Sequence, residues 1–156
     1  MEIIKNSETL NKYLLKTKSQ SIGFIPTMGS IHKGHLSLIE KCVNENNISI
    51  CSIFVNPTQF SNNNDYKNYP KNIKEDIKLI KKINCTILFI PSINDMYQKE
   101  ISSNNYNFKH LSNCLEDASR PGHFDGVATI IEKLFDIINP DNVYLGEKDF
   151  QQFCII

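Results

Sequence analysis

Two histidines three residues apart, His32 and His35, stand in the stretch PTMGSIHKGH at residues 26–35, with Gly29 ahead of them and Lys33 and Gly34 between them. The apolar run SIGFIPT before them reads as a strand ended by Pro26. The spacing of Ile31, Leu38, Ile39 and Cys42 or Val43 reads as a helix, so the pair falls at a helix N-terminus. Unpaired N–H groups and the positive end of the helix dipole make phosphate the natural ligand of the turn at Gly29 and Ser30. From one helical turn, His32 and His35 can face the same side and donate hydrogen bonds to phosphate oxygens whose charge grows in a transition state. Zinc-binding helices usually present an i, i+4 pair with an acid between, so the i, i+3 spacing here favours phosphate over metal.

Three other places carry residue types suited to the same chemistry. Gln59 in NPTQF is neutral and bidentate, able to bind hydroxyl or carboxylate groups without adding charge to an anion site. Lys148, in the turn GEKD, is a point positive charge suited to a phosphate that gains charge on nucleophilic attack, and Asp149 can cap the helix that follows. Arg120, in SRPGHFDG, is the single arginine among 17 basic residues, hence the one planar bidentate donor available.

The elements that must position these residues alternate. Ser7 can cap a short helix with Leu10, Leu14 and Leu15 inward. ISICSIFV (48–55) reads as a fully buried strand, and a polar loop with two prolines follows. Ile73, Ile77, Ile80 and Ile83 share a helix face, and CTILFIP (85–91) supplies a third buried strand. A helix turn is expected at INDMY and another near HLSNCLED; Val127, Ile130, Ile131, Leu134 and Ile138 then mark an amphipathic helix stopped by Pro140. NVYLGEKDFQQF reads as strand, turn and helix. Buried strands alternating with helices imply an α/β fold, a Rossmann-like parallel sheet with helices on both faces, and ligands then gather at the carboxyl ends of the strands.

Composition narrows the partners. The chain has 156 residues, suited to one domain over 1–156. Seventeen basic and 17 acidic residues give no global field for nucleic acid, and no apolar run approaches the ~20 residues that span a bilayer, so neither nucleic acid nor membrane is expected as a partner. Five cysteines with no CxxC pair point to a reducing cytoplasm.

HKGH in a strand–glycine–helix setting resembles the HxGH signature of the nucleotidyltransferase superfamily. GFIPTMGSIHKGHLSLI, SIFVNPTQF, SRPGHFDGVATIIEKLF and YLGEKDFQQ, in that order, narrow the resemblance to the pantothenate synthetase (pantoate–β-alanine ligase) family, across about residues 22–152. The resemblance implies a nucleotidyltransferase-type fold and two reactions. ATP and pantoate give pantoyl adenylate and pyrophosphate, and β-alanine then displaces AMP to give pantothenate. It assigns ATP contacts to Met28, Gly29, Ser30, Ile31, His32, Lys33, Gly34 and His35 and to Gly146, Glu147, Lys148 and Asp149. His35 would be the catalytic proton donor, with His32 and Lys148 beside it on phosphate. Pantoate would meet Gln59, Gln152, Asn56, Pro26 and Arg120, with Arg120 and His123 either shaping the pocket or fixing the loop. Mg²⁺ would accompany ATP, with Glu75 and Asp76 as its protein ligands, and the family's habit implies a homodimer.

Two departures qualify what is implied. The family's usual arginine after YP is Lys71 here, which keeps charge and loses fork geometry. The chain stops at QQFCII, where the family continues into a smaller C-terminal domain whose serine-rich loop closes over the phosphates. The expectation is therefore a nucleotide- and pantoate-binding N-terminal domain with poor or no turnover by itself. The competing readings are another HxGH nucleotidyltransferase, which NPTQF and GEKDFQQ disfavour, and a catalytically incomplete binding or dimerisation module.

Overall fold

The structure, a computed structural model, describes residues 1–17, 19–108, 120–147 and 150–156, with the backbone alone for 150–152. Its centre is a sheet of five parallel strands: β1 (Glu2–Ile4), β2 (Ile22–Thr27), β3 (Ile48–Ile53), β4 (Ile87–Phe89) and β5 (Asn142–Val143), in the order β1-β4-β3-β2-β5. All six residues of β3 are buried, as a strand covered on both faces must be. It registers with β2 from Ile22↔Ile48 to Thr27↔Ile53.

Alternate strand residues enter two separate cores. Phe24, Ile48, Ile50, Ile87 and Phe89 pack with Leu10 of α1 (Ser7–Leu14) and with Phe124, Val127, Ile130, Ile131, Leu134 and Ile138 of α6 (His123–Ile138). Ile25, Cys51, Ile53 and Leu88 pack on the other face with Ile39 and Cys42 of α2 (Lys33–Glu45) and Ile80 of α4 (Ile73–Lys82). Each such side chain, fully buried, contributes about 1.5–3 kcal/mol. The expected doubly covered parallel sheet is what is found.

Several local readings change. Asn6, not Ser7, caps α1, accepting from Thr9 N at 2.8 Å; Ser7 is the first helical residue and gives its N–H and its hydroxyl to Asp95, both at 2.9 Å. Leu15 lies in a 3₁₀ turn and is 60% exposed rather than inward. The polar loop after β3 holds a 3₁₀ turn at Pro57–Gln59 and a short α3 (Asn63–Asn68), capped by Asn62. The turn at INDMY is present as α5 (Ile93–Met96), whereas the one near HLSNCLED lies outside the described residues. Asn139, in the left-handed region at φ 48°, ends α6 just before Pro140. A last short helix, α7, spans Phe150–Ile155.

Chain order and strand order together locate the site. From β2 the chain winds outward through β3 to β4, then returns through α6 to β5 on the other side of β2. The order therefore reverses between β2 and β5, and a crevice opens at their carboxyl ends between α2 on one face and α6 on the other.

Candidate active site

A cleft of about 1120 Å³ occupies that crevice. Pro26, Met28, Gly29, Ser30, His32, Gly34 and His35 line one part of it, Gln59, Arg120 and His123 another, and Gly146 and Glu147 a third. Lys33 and Ile31 are not among its lining residues: Lys33 is exposed, and Ile31 is 8% exposed and belongs to the core beneath α2.

The turn between β2 and α2 is held differently from an open anion nest. Gly29 (φ 86°) and Ser30 (φ 53°) are consecutive left-handed residues, a conformation that costs a serine free energy and a glycine almost none. Gly29 N donates to Thr27 Oγ1 at 3.1 Å, Ser30 N to Asp76 Oδ2 at 3.0 Å and Ile31 N to Asp76 Oδ1 at 2.8 Å. Ser30 Oγ adds a bond to the Pro70 carbonyl at 3.0 Å. Gly34 N donates to His32 Nδ1 at 3.1 Å, which makes His32 the N-cap of α2. The backbone donors expected for phosphate at Gly29 and Ser30 are thus already spent inside the protein, and so is that of Ile31. His32 and His35 both stand on this wall, their rings stacked at 4.0 Å between centroids. Because Nδ1 of His32 accepts, its proton sits on Nε2.

The expected metal ligands do not fit a metal. Asp76 is 3% exposed, with each carboxylate oxygen on a backbone N–H, and Glu75 is turned outward, 3.6 Å from Lys78 Nζ. Among the described residues no group of three His, Cys, Asp or Glu side chains is placed to hold an ion.

The second wall is built from the turn after β3. Asn56 is fully buried: its Nδ2 donates to Gly126 O at 2.9 Å and Thr58 Oγ1 at 3.0 Å, and its Oδ1 accepts from Tyr97 OH at 2.7 Å. Burial raises the Tyr97 phenol above its ordinary pKa, keeping it a donor. Asn56 therefore holds the turn from behind and is not among the residues that line the cleft. Gly126 is what lets α6 come this close, since a Cβ there would stand 2.4 Å from the Thr58 carbonyl oxygen. His123 Nδ1 meets the Gln59 carbonyl at 2.8 Å; a carbonyl only accepts, so the proton is on Nδ1. His123 thus lines the cleft and pins the Pro57–Gln59 turn.

The third wall follows β5. Tyr144 donates its hydroxyl to Glu45 Oε2 at 2.7 Å and accepts from Asn46 Nδ2 at 2.7 Å, clasping β5 to the end of α2. Lys148, Asp149 and the Gln152 side chain lie outside the described residues. Sequence reasoning missed Lys41 and Tyr69, which also line the cleft, and treated Val127, Ile130, Ile131 and Leu134 as core alone. Nothing local marks Lys41, on the middle of α2. Tyr69 carries a signal in NYP, where proline bars helix continuation and turns the ring back toward Phe60, 5.7 Å away.

A parallel sheet reversing its order beside a His-x-Gly-His helix defines an α/β domain of the nucleotidyltransferase type. The comparisons carry this further. Residues 2–156 match the family described as pantoate-beta-alanine ligase, and the chain belongs to that family. It is 47% identical to the pantothenate synthetase of Francisella philomiragia across all of this chain and 60% of that protein, and 48% identical to that of Azobacteroides pseudotrichonymphae across all of this chain and 56% of that one. The crystal structure of the Francisella tularensis pantoate-beta-alanine ligase, complexed with beta-gamma ATP and beta-alanine, superposes with a TM-score of 0.95 at 44% identity, covering 99% of this chain and 60% of that one. The Thermus thermophilus pantothenate synthetase gives 0.90 at 38%, covering 97% and 54%. The chain thus spans little more than half the length of these relatives.

Proposed function

We propose that this chain carries the ATP and pantoate sites of a pantoate–β-alanine ligase. The observation that bears the reading is the convergence on one cleft of His32 and His35, Gln59 and the Gly146–Glu147 turn, three segments far apart in sequence. ATP lies along the histidine wall, where Nε2–H of His32 and the positive end of α2 face its phosphates. Pantoate lies against Gln59 and the apolar side chains of α6, which suit its dimethyl group, with Pro26 and Arg120 at the margins. The pantoate carboxylate attacks the α-phosphorus, forming a P–O bond as the bond to pyrophosphate breaks, and His35 donates a hydrogen bond or proton to the oxygen that gains charge. The β-alanine amine then attacks the acyl carbon, forming the amide as the bond to AMP breaks. Lys148, Asp149 and Gln152 complete the assignment on family membership, as do the homodimer and the cytoplasmic setting. Mg²⁺ enters with ATP as part of the substrate, and no protein ligand is assigned to it.

Calorimetric titration with ATP and with pantoate tests the reading, with pyrophosphate release measured when both are present. Both ligands are expected to bind, and Gln59→Ala to abolish pantoate binding while ATP binding persists. Binding of neither ligand, or preference for CTP over ATP, overturns the assignment. Full retention of pantoate binding in Gln59→Ala removes that residue from the site.

A further inference from the structure

We propose that Asp76 is a positioning residue that sets the affinity for ATP by clamping the Gly29–Ile31 turn, and that it is not a ligand of the metal. The inference rests on the reading of the cleft as an ATP site and goes beyond it in naming what holds that site in shape. The turn is costly by itself: Ser30 adopts φ 53° directly after Gly29 at φ 86°. One carboxylate offsets that cost by accepting from the two successive amides, Ser30 N at 3.0 Å and Ile31 N at 2.8 Å, and such charge-assisted bonds are about twice as strong as neutral ones. The fit is close, since a Cβ on Gly29 would stand 3.1 Å from Asp76 Oδ2.

The clamp acts on the two histidines through the chain. Ile31 is anchored in the core, and His32 follows it as the cap of α2, so the turn fixes where the imidazole pair begins. A buried anion beside a phosphate site would otherwise repel the ligand. Here the two amides each engage one of its oxygens, and their N–H dipoles offset part of its charge at the loop. The turn that presents Gln59 is held by a separate set of contacts, from Asn56, Gly126 and His123. Loss of the clamp is therefore felt by ATP and not by pantoate.

Asp76→Asn is nearly isosteric but puts an NH₂ group against one of the two amides. In the native chain the Ser30 and Ile31 amides, although outside any helix or strand, are expected to exchange slowly with solvent deuterium, and rapid exchange of both there overturns the clamp without any substitution. In Asp76→Asn at least one becomes fast, and ATP binding weakens about tenfold or more, the loss of a hydrogen bond to a charged group. The weakening is expected to be the same in EDTA and in Mg²⁺, with pantoate affinity held within about twofold. Adding Ser30→Gly, which relieves the left-handed strain, is expected to restore part of the ATP affinity. A defect seen only with Mg²⁺ makes Asp76 a metal ligand and overturns the proposal, as does an equal loss of ATP and pantoate. A native chain that binds no ATP overturns the functional reading and the affinity claim with it, while the exchange rates still decide whether the clamp exists.

Discussion

At the scale of single residues, His32 serves two ends with its two nitrogens. Nδ1 accepts from Gly34 N and starts α2; Nε2–H is left for a ligand in the cleft. The two roles separate by substitution. Asparagine caps a helix well, so His32→Asn is expected to keep stability within a few tenths of a kcal/mol, whereas His32→Ala loses about 1 kcal/mol in urea denaturation. Both weaken ATP binding by a similar factor, because both lack the Nε2 donor. Equal stability of the two variants would remove the cap assignment. The sequence made the histidine pair legible because its evidence is local, a spacing and a glycine. It did not make Asp76 or Asn56 legible. Asp76 finds its amides 45 and 46 residues away, and Asn56 finds the Gly126 carbonyl 70 residues away, so their burial depends on packing that no local pattern reports.

Between elements, the decisive contact is that of α6 with the Pro57–Gln59 turn. Gly126 allows it, and His123 and Asn56 pin it from either side. Gly126→Ala drives a methyl group into the Thr58 carbonyl, and the expected result is a loss of about 1–3 kcal/mol together with weaker pantoate binding and unchanged ATP binding. His123→Phe keeps a ring beside Phe124 and removes the donor to Gln59. It is expected to weaken pantoate binding severalfold at little cost in stability; parallel titrations of both ligands check each variant, and an equal effect on ATP would show that the two walls are not held independently. The strands and long helices were readable because burial imposes a period on them. The strand β1 was not: three residues, two of them exposed, carry no alternation, and the strand exists by pairing with β4 some 85 residues on. The start of α6 was obscured for a related reason, since Gly122 caps it through a left-handed backbone and not through a capping side chain.

Taken as a whole, the molecule is two apolar layers meeting across one sheet, and the cleft exists only while α2 and α6 are both docked. Three free thiols, those of Cys42, Cys51 and Cys85, sit in the α2–α4 layer, each fully buried. Burial pushes Cys42 up to about 12, with Cys85 and Glu45 nearby adding to it, and holds Cys51 well above the ordinary thiol range; Cys85 is raised by burial against hydrogen bonds that lower it. A thiol whose folded pKa lies above its unfolded value lends stability that is complete below pH about 9 and lost as pH rises toward the folded value. Between those limits the unfolded chain has released a proton that the folded chain retains, so each such thiol lowers stability by about 1.4 kcal/mol per pH unit. The urea midpoint is therefore expected to hold steady from pH 7 to about 8.5 and to fall steeply above 9. Replacing Cys42 by alanine lowers the neutral-pH midpoint through the lost side chain but flattens the alkaline limb, since one titrating group is gone. Parallel alkaline limbs in the native chain and Cys42→Ala would mean that this thiol titrates alike folded and unfolded, and that the layer carrying the histidine wall is open to water. A flatter limb would place the loss of the cleft at high pH in the α2–α4 layer.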